Sequence, residues 1–448
     1  MANKTQILTL AAMSMGYGVV QLDVTIVNTA LTTIGSGIGA DVAALQWVVS
    51  AYTIGLAAFI LTAGALGDRI GAKRVFIAGF ALFTAASLAC AMSPNLGMLI
   101  AARGVQGVGA AILVPNSLAL LNHAYAEPDE RGRAVGFWAA GASLALTAGP
   151  LAGGLLIHWS SWRGIFLVNL PIGLGGLYLT WRYTKETPRK RDRQLDLPGQ
   201  AAAMFTLGLL AASIIEGGKV GWRSSIVETG AVLVALSGAA FILRERRCEQ
   251  PMLPLELFSK RPFWLSTVVG LLVNIAFYGL IFVLSLYFQK QHGFSPLQTG
   301  LAFVPMMAVV LPFNILGPRM SERFGAPAVI ALGAAIAAAG AAALFVVGKQ
   351  TPYASLFAQL LALGGGLGLL VPPLTSMLLG SVDKARSGIA SGVLNSSRQT
   401  GSVIGVALFG ALIAKDATFM VGLRIAVGLA AAMLVMSAVI AMAGRGNR

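Results

Sequence analysis

Gly64-Ala-Leu-Gly67-Asp68-Arg69-Ile-Gly71-Ala-Lys73-Arg74 is a charged, glycine-punctuated loop of about ten residues set between two long apolar runs. Flanks of about 20 apolar residues are long enough to cross ~30 Å of hydrocarbon as helices. Three cations in one short loop belong on the cytoplasmic side of such a pair. The stretch therefore announces a multi-span membrane protein and orients it.

Composition agrees. Of 448 residues, 56% are hydrophobic and 11% charged, and the mean hydropathy is +0.78, whereas soluble domains carry about 25% charged residues. The net charge of +15 sits in short loops between apolar runs instead of along one soluble face, which argues against a nucleic-acid partner. Two cysteines, Cys90 in an apolar run and Cys248 in a basic loop, make no disulfide framework. The apolar run after Lys4 continues beyond Leu31, too long for a signal peptide, and reads as a first helix that stays in the membrane.

Working outward, apolar runs bounded by charge or by Gly, Pro and Asn predict about fourteen spans on a ~20-residue window. Their centres fall near Val19, Ile54, Leu82, Ala111, Leu144, Gly173, Leu207, Val234, Leu280, Ala308, Ile336, Leu367, Ser402 and Ala432. With the N-terminus inside, the cytoplasmic loops collect roughly 23 Lys and Arg against about 7 outside. These include Arg131, Arg133, the run from Arg182 to Arg193, and Arg319 with Arg323. An even number of spans then puts both termini in the cytoplasm.

The opening loop has a second copy. Glu322-Arg323-Phe324-Gly325 follows the tenth span with the acid-Arg-apolar-Gly order of Asp68 to Gly71. A duplicated six-helix half explains this if two extra helices, the seventh and eighth, lie between the halves. The expected division is an N-terminal bundle over 1–182, a linker with two additional helices over 183–262, and a C-terminal bundle over 263–448.

Three ionisable residues fall inside spans: Asp23, Arg103 and Arg398. Charge there costs ~2.5–3.5 kcal/mol or more, so each is a functional candidate. Asp23 and Arg103 lie at similar depth and can pair. Two readings stay open, a fixed salt bridge holding the bundle and a titrating, cavity-facing carboxyl. Glu216 and Glu228 fall near outer helix ends.

By 3.6-residue periodicity Ser391, Asn395, Arg398 and Ser402 share one face of the thirteenth helix, and Asn274, Tyr278 and Ser285 one face of the ninth. With Asn28, Tyr52 and Trp138 they are candidate cavity linings. Arg398 reads equally as a substrate contact or as a structural arginine with its own partner. In the fifth helix Gly141, Ala145, Gly149 and Gly153 form a small-residue seam, followed by Gly154, and Pro150 removes a backbone donor. Gly35-Ser-Gly37-Ile-Gly39-Ala40 fits a dinucleotide pattern, but it follows a membrane helix instead of a strand and is a chance match. No Walker loop or metal-ligand spacing is present.

At this point a family resemblance is specific. Gly64 to Arg74 resembles the signature loop of the major facilitator superfamily, and Leu22-Asp23-Val-Thr25-Ile-Val-Asn28-Thr-Ala-Leu31 resembles the first-helix motif of its fourteen-helix drug:proton antiporter branch. Arg103 to Gly109, Gly141 to Gly154, Trp162-Arg163 with Asn169-Leu-Pro171, and Gly388 to Gly405 match as well.

The resemblance implies an all-α integral membrane fold of two six-helix bundles about a central cavity. It further implies a non-enzymatic antiporter with no cofactor, exporting lipophilic, cationic drugs against a proton current across the bacterial inner membrane. A monomer is the expected working unit. In that picture Asp23 and Arg103 couple protons. Gly64, Gly67, Asp68, Arg69, Gly71 and Arg74, with Glu322 and Arg323, form a conformational latch, and Gly141, Gly149, Pro150, Gly153 and Gly154 form the antiporter helix. The rival readings are an uptake symporter for a metabolite and a transport-inactive receptor.

Overall fold

The computed structural model describes residues 4–189, 196–248, 251–349, 351–383 and 386–444. Lys190, Arg191 and Arg193 of the basic run lie outside the described residues. Fourteen long helices follow one another: α1 Lys4–Ile38, α2 Val42–Ile70, α3 Ala72–Ala91, α4 Leu96–Ala124, α5 Pro128–Trp159, α6 Gly164–Tyr183 with a break at Val168, and α7 Leu197–Val220. After these come α8 Ser225–Arg247, α9 Arg261–Lys290, α10 Pro296–Phe324, α11 Ala326–Ala343, α12 Phe357–Gly380, α13 Ser387–Leu412 and α14 Phe419–Ala443. Each expected span centre falls on one of them.

Thirteen of the fourteen are long and apolar enough to cross a membrane. The exception is α13, whose run Asn395-Ser396-Ser397-Arg398-Gln399-Thr400 lowers its hydropathy although it has 26 residues. Its polar groups turn inward: Ser396 donates to the Ala57 carbonyl at 3.1 Å and Ser397 to the Thr267 carbonyl at 3.0 Å. Interior partners replace the lipid that such a helix could not face.

The repeat is visible in backbone geometry. Gly71 alone separates α2 from α3 and Gly325 alone separates α10 from α11, at φ +107° and +82°. A residue with a side chain is strained at such φ, so both glycines are required by the reversal itself. Elsewhere side chains start helices: Asp41 caps α2 through Ala44 N at 2.8 Å and Ser295 forms a capping box on α10.

Helices α1–α6 pack as one group and α9–α14 as another. In a bilayer, close packing and interhelical hydrogen bonds do this work in place of the hydrophobic effect. The seam on α5 faces α1: a Cβ at Gly149 would overlap the Thr25 hydroxyl, and one at Gly153 would come within 2.8 Å of the Ile26 carbonyl. Thr25 in turn donates to the Leu146 carbonyl at 3.0 Å. Gly154 faces the other group, against Leu297 of α10.

Polar bonds between the groups concentrate toward the face opposite Gly71 and Gly325. Gln46 of α2 donates to the Val406 and Ala407 carbonyls at 3.2 and 2.7 Å, Thr32 bonds Gln289, and Ser285 bonds the Asn28 carbonyl.

The inserted helices are placed unevenly. α7 lies along α2 and α13 through two small apolar clusters, Ala43 and Ala407 with Ile215, and Ile54 and Val403 with Ala211. α8 packs chiefly on α7 and is mostly exposed.

Gly149→Val is expected to lower the thermal unfolding midpoint of detergent-solubilised protein by the equivalent of about 1–3 kcal/mol, the usual cost of forcing volume into a packed contact. Gly136→Val, where nothing lies within 4 Å of the added carbon, serves as the unaffected control.

Candidate functional site

The break at Val168 in α6 brings Asn169 toward α1, and the 3.6-residue repeat of α4 stacks Arg103 under Gln106. Between them Asp23 is 0% and Arg103 1% exposed. They form a direct ion pair. Asp23 also accepts from Gln106 Nε2 at 2.9 Å and Asn169 Nδ2 at 3.1 Å. Arg103 donates through Nε to the Val48 carbonyl at 3.1 Å and through Nη1 to Gln106 Oε1 at 2.7 Å. Its guanidinium carbon sits 4.3 Å from the Tyr52 ring centroid, a cation–π distance. Ser87 of α3 closes the network, accepting from Gln106 and Asn169 and donating to the Phe166 carbonyl at 2.9 Å.

Three residues expected on the cavity wall are therefore elsewhere. Asp23 is enclosed by its partners. Tyr52, also 0% exposed, lies under Arg103 with its hydroxyl 3.3 Å from the Val20 carbonyl. Asn28, 3% exposed, donates to the Val24 carbonyl, and its own carbonyl receives Ser285 of the opposite group. A buried carboxylate and cation at the same depth satisfy each other, which removes the reason for either to face water.

A second set lies at mid-helix in both groups. Asn274, Asn395 and Arg398 are partly exposed at mid-helix. Tyr278 of α9 packs edge-on against Phe277 at 5.0 Å. Trp138 stacks on Tyr17 of α1 at 4.3 Å and donates to Ser117 at 3.2 Å. Arg398 donates through Nη2 to Thr375 Oγ1 at 2.9 Å. Asn274 and Asn395 each return one amide bond to their own helix. Phe137, on the same helix as Trp138, is 68% exposed, and Phe282, one turn beyond Tyr278, is buried.

The glycine-punctuated loop has an unexpected partner. Glu186, just after α6, accepts from Lys73 N at 2.8 Å and Arg74 N at 3.3 Å, and Thr187 Oγ1 accepts from Ala72 N at 3.0 Å. A carboxylate at a helix N-terminus satisfies free amide groups and favours the dipole. A Cβ on Gly71 would lie 2.6 Å from the Glu186 carboxyl carbon, so this glycine also makes room for its acid. Gly64 packs against Pro115 and Gly67 against Asn116. Asp68 is half-buried, while Arg69, Glu322 and Arg323 are exposed. Among the described residues none of these four bridges the two groups, so the loops are not latched together in this conformation.

Sequence reading missed Gln46, Ser87, Gln106, Tyr17 and Glu186 as site residues. The first three carry a usable signal, a polar side chain inside an apolar run. Glu186 sits in a basic linker and carries none.

Two six-helix groups, partly exposed polar residues at mid-helix and cross-bonds that lie mostly toward one face are the marks of a multi-span membrane transporter. The chain belongs to the Major Facilitator Superfamily, whose family model matches residues 13–406. It is 35% identical over 421 residues to the methylenomycin A resistance protein of Bacillus subtilis, covering 94% of this chain and 90% of that one. It is 37% identical over 414 residues to the multidrug resistance protein Stp of Mycobacterium tuberculosis, covering 92% and 76%. Its fold matches a bacterial homologue of the human lysosomal transporter Spinster, solved inward-facing and unoccupied, with a TM-score of 0.69 at 17% identity over 99% of this chain and 97% of that one. Drug resistance and efflux proteins thus surround it in sequence, and transporters in fold.

Asp23→Asn leaves Arg103 buried without its counter-charge and is expected to destabilise the protein by about 3–5 kcal/mol, read as a lowered unfolding midpoint in detergent. Adding Arg103→Gln should recover part of that loss. Glu186→Ala should cost about 1 kcal/mol, as for a lost helix cap, and hydrogen exchange should rise at the first amides of α3.

Proposed function

We propose that this protein exports small lipophilic molecules from the bacterial cytoplasm across the inner membrane, in exchange for protons, by rocking its two bundles about the centre they share. The observation that carries the reading is the polar centre of Tyr17, Trp138, Asn274, Tyr278, Asn395 and Arg398, set between groups whose cross-bonds lie toward one face. That is the arrangement expected of one end of an alternating-access cycle. Positive-inside counting assigns the loop face, and both termini, to the cytoplasm. The division over 1–182, 183–262 and 263–448 then gives two moving units, working as a monomer, and an intervening helix pair.

Export is favoured over uptake by the relatives, among them a tetracenomycin C resistance and export protein of Streptomyces glaucescens at 28% identity. Proton coupling rests on Asp23. A proton arriving there would cancel the carboxylate and leave Arg103 with Gln106 and a backbone carbonyl, which is a reason for α1 and α4 to reposition. One proton crossing ~150 mV supplies ~3.5 kcal/mol, enough for a cargo gradient of several hundredfold.

The test uses inside-out vesicles from a pump-deficient host expressing the full chain, with methylenomycin A and puromycin as probes and a pH-sensitive dye as readout. Probe addition should release protons from the acidified lumen of wild-type vesicles. Asp23→Asn should reduce that release at least tenfold at matched protein level, while Asp23→Glu keeps part of it. Undiminished release in Asp23→Asn would remove this residue from the coupling.

A further inference from the structure

We infer that the partly exposed centre receives a negatively charged cargo, with Arg398 meeting its anionic group; this rests on the transport reading above. The charge balance of the membrane interior is the starting point. Of the three ionisable residues singled out there, Asp23 and Arg103 cancel each other and are sealed at 0% and 1% exposure. Arg398 remains. The middle of the molecule therefore carries one uncompensated positive charge, and it stands in the partly exposed centre.

The surroundings of Arg398 are those of a recognition group. Its single hydrogen bond among the described residues goes from Nη2 to the Thr375 hydroxyl at 2.9 Å, although a guanidinium offers five N–H donors in a planar fork suited to carboxylate, phosphate or sulfonate. No carboxylate of the described residues lies within ion-pair distance. Tyr17 of α1 is partly exposed at mid-helix, and Tyr278 stands one turn beyond Asn274 on α9. Among the described residues neither phenol hydroxyl bonds to protein, so both are free to donate to an incoming acceptor. Tyr17 stacks on Trp138 with the rings 19° apart, and Phe277 lies beside Tyr278, giving an apolar body two aromatic flanks.

A structural arginine in an apolar bundle normally has an acid or several carbonyls to hold, as Arg103 has. Arg398 has one hydroxyl. A cationic cargo would meet like charge with no acid nearby to offset it, whereas an anion completes the set. The family resemblance leads to an expectation of cationic drugs, and the charge of this centre points the other way. Leaving a negatively charged interior, an anionic cargo gains from the membrane potential as well.

Two xanthene dyes of opposite charge test this on the purified full chain in detergent: fluorescein, anionic at pH 7.5, and rhodamine 6G, cationic, each titrated by fluorescence polarisation. Wild type should bind fluorescein at least tenfold more tightly than rhodamine 6G, with an affinity that falls as salt is added. Arg398→Gln should weaken fluorescein at least tenfold without weakening rhodamine 6G, and Arg398→Lys, which keeps the charge, should retain most of the preference. The wild-type ratio and its salt dependence stand even if Arg398→Gln fails to fold. Tighter binding of rhodamine 6G, no saturable binding of fluorescein, or fluorescein affinity indifferent to Arg398→Gln in folded protein would each overturn the assignment. Fluorescein bound as described, yet unmoved by a proton gradient in inside-out vesicles, would uphold the charge assignment while defeating the proton-coupled export reading.

Discussion

A carboxylate persists in the middle of a bilayer only if something cancels its charge and fills its lone pairs, and around Asp23 that demand organises most of one bundle. Arg103 and Gln106 come from α4, Asn169 and the Phe166 carbonyl from α6, Ser87 from α3, and the Val48 carbonyl with the Tyr52 ring from α2. Five of the six N-terminal helices thus converge on one ion pair, and α5 joins them through its glycine seam on α1. Buried networks of this kind favour one packing, because removing a member strands the others.

The C-terminal bundle contains no such knot among its described residues. Its central arginine holds one hydroxyl and its central asparagines bond to their own helices. The two six-helix groups therefore differ in kind: one pairs its buried charges, and the other leaves a partly exposed arginine with no acid partner among the described residues. The turns at Gly71 and Gly325 match in backbone angle even where the side chains around them differ.

The helices are legible in the sequence because spans are written in long apolar runs, and α13 is legible despite its poor hydropathy because charged residues, Asp383 to Arg386 and Lys415-Asp416, bound it at both ends. The depth of Asp23 and Arg103 was legible from helix rise alone. Their orientation was not. Whether a carboxyl at that depth faces water or a partner depends on Gln106, Ser87 and Asn169, which lie up to 146 residues away from it in the chain. No local periodicity encodes such a meeting. Glu186 was hidden for a related reason, since its role exists only once α6 has delivered the linker to the start of α3. Arg398 was readable as a candidate, but its lack of an acid partner becomes visible only when all its neighbours are in place.

The lopsided seat of α7 has a consequence in the plane of the membrane. Along one flank, where α2 meets α13, Ala211 and Ile215 of α7 lie across the join, with α8 behind them. Along the other, where α5 meets α10, no inserted helix stands among the described residues. Seen from the acyl chains, one join is screened by two further helices, while the other, closed by Gly154 against Leu297 and Gly300 against Pro150, meets the lipid directly.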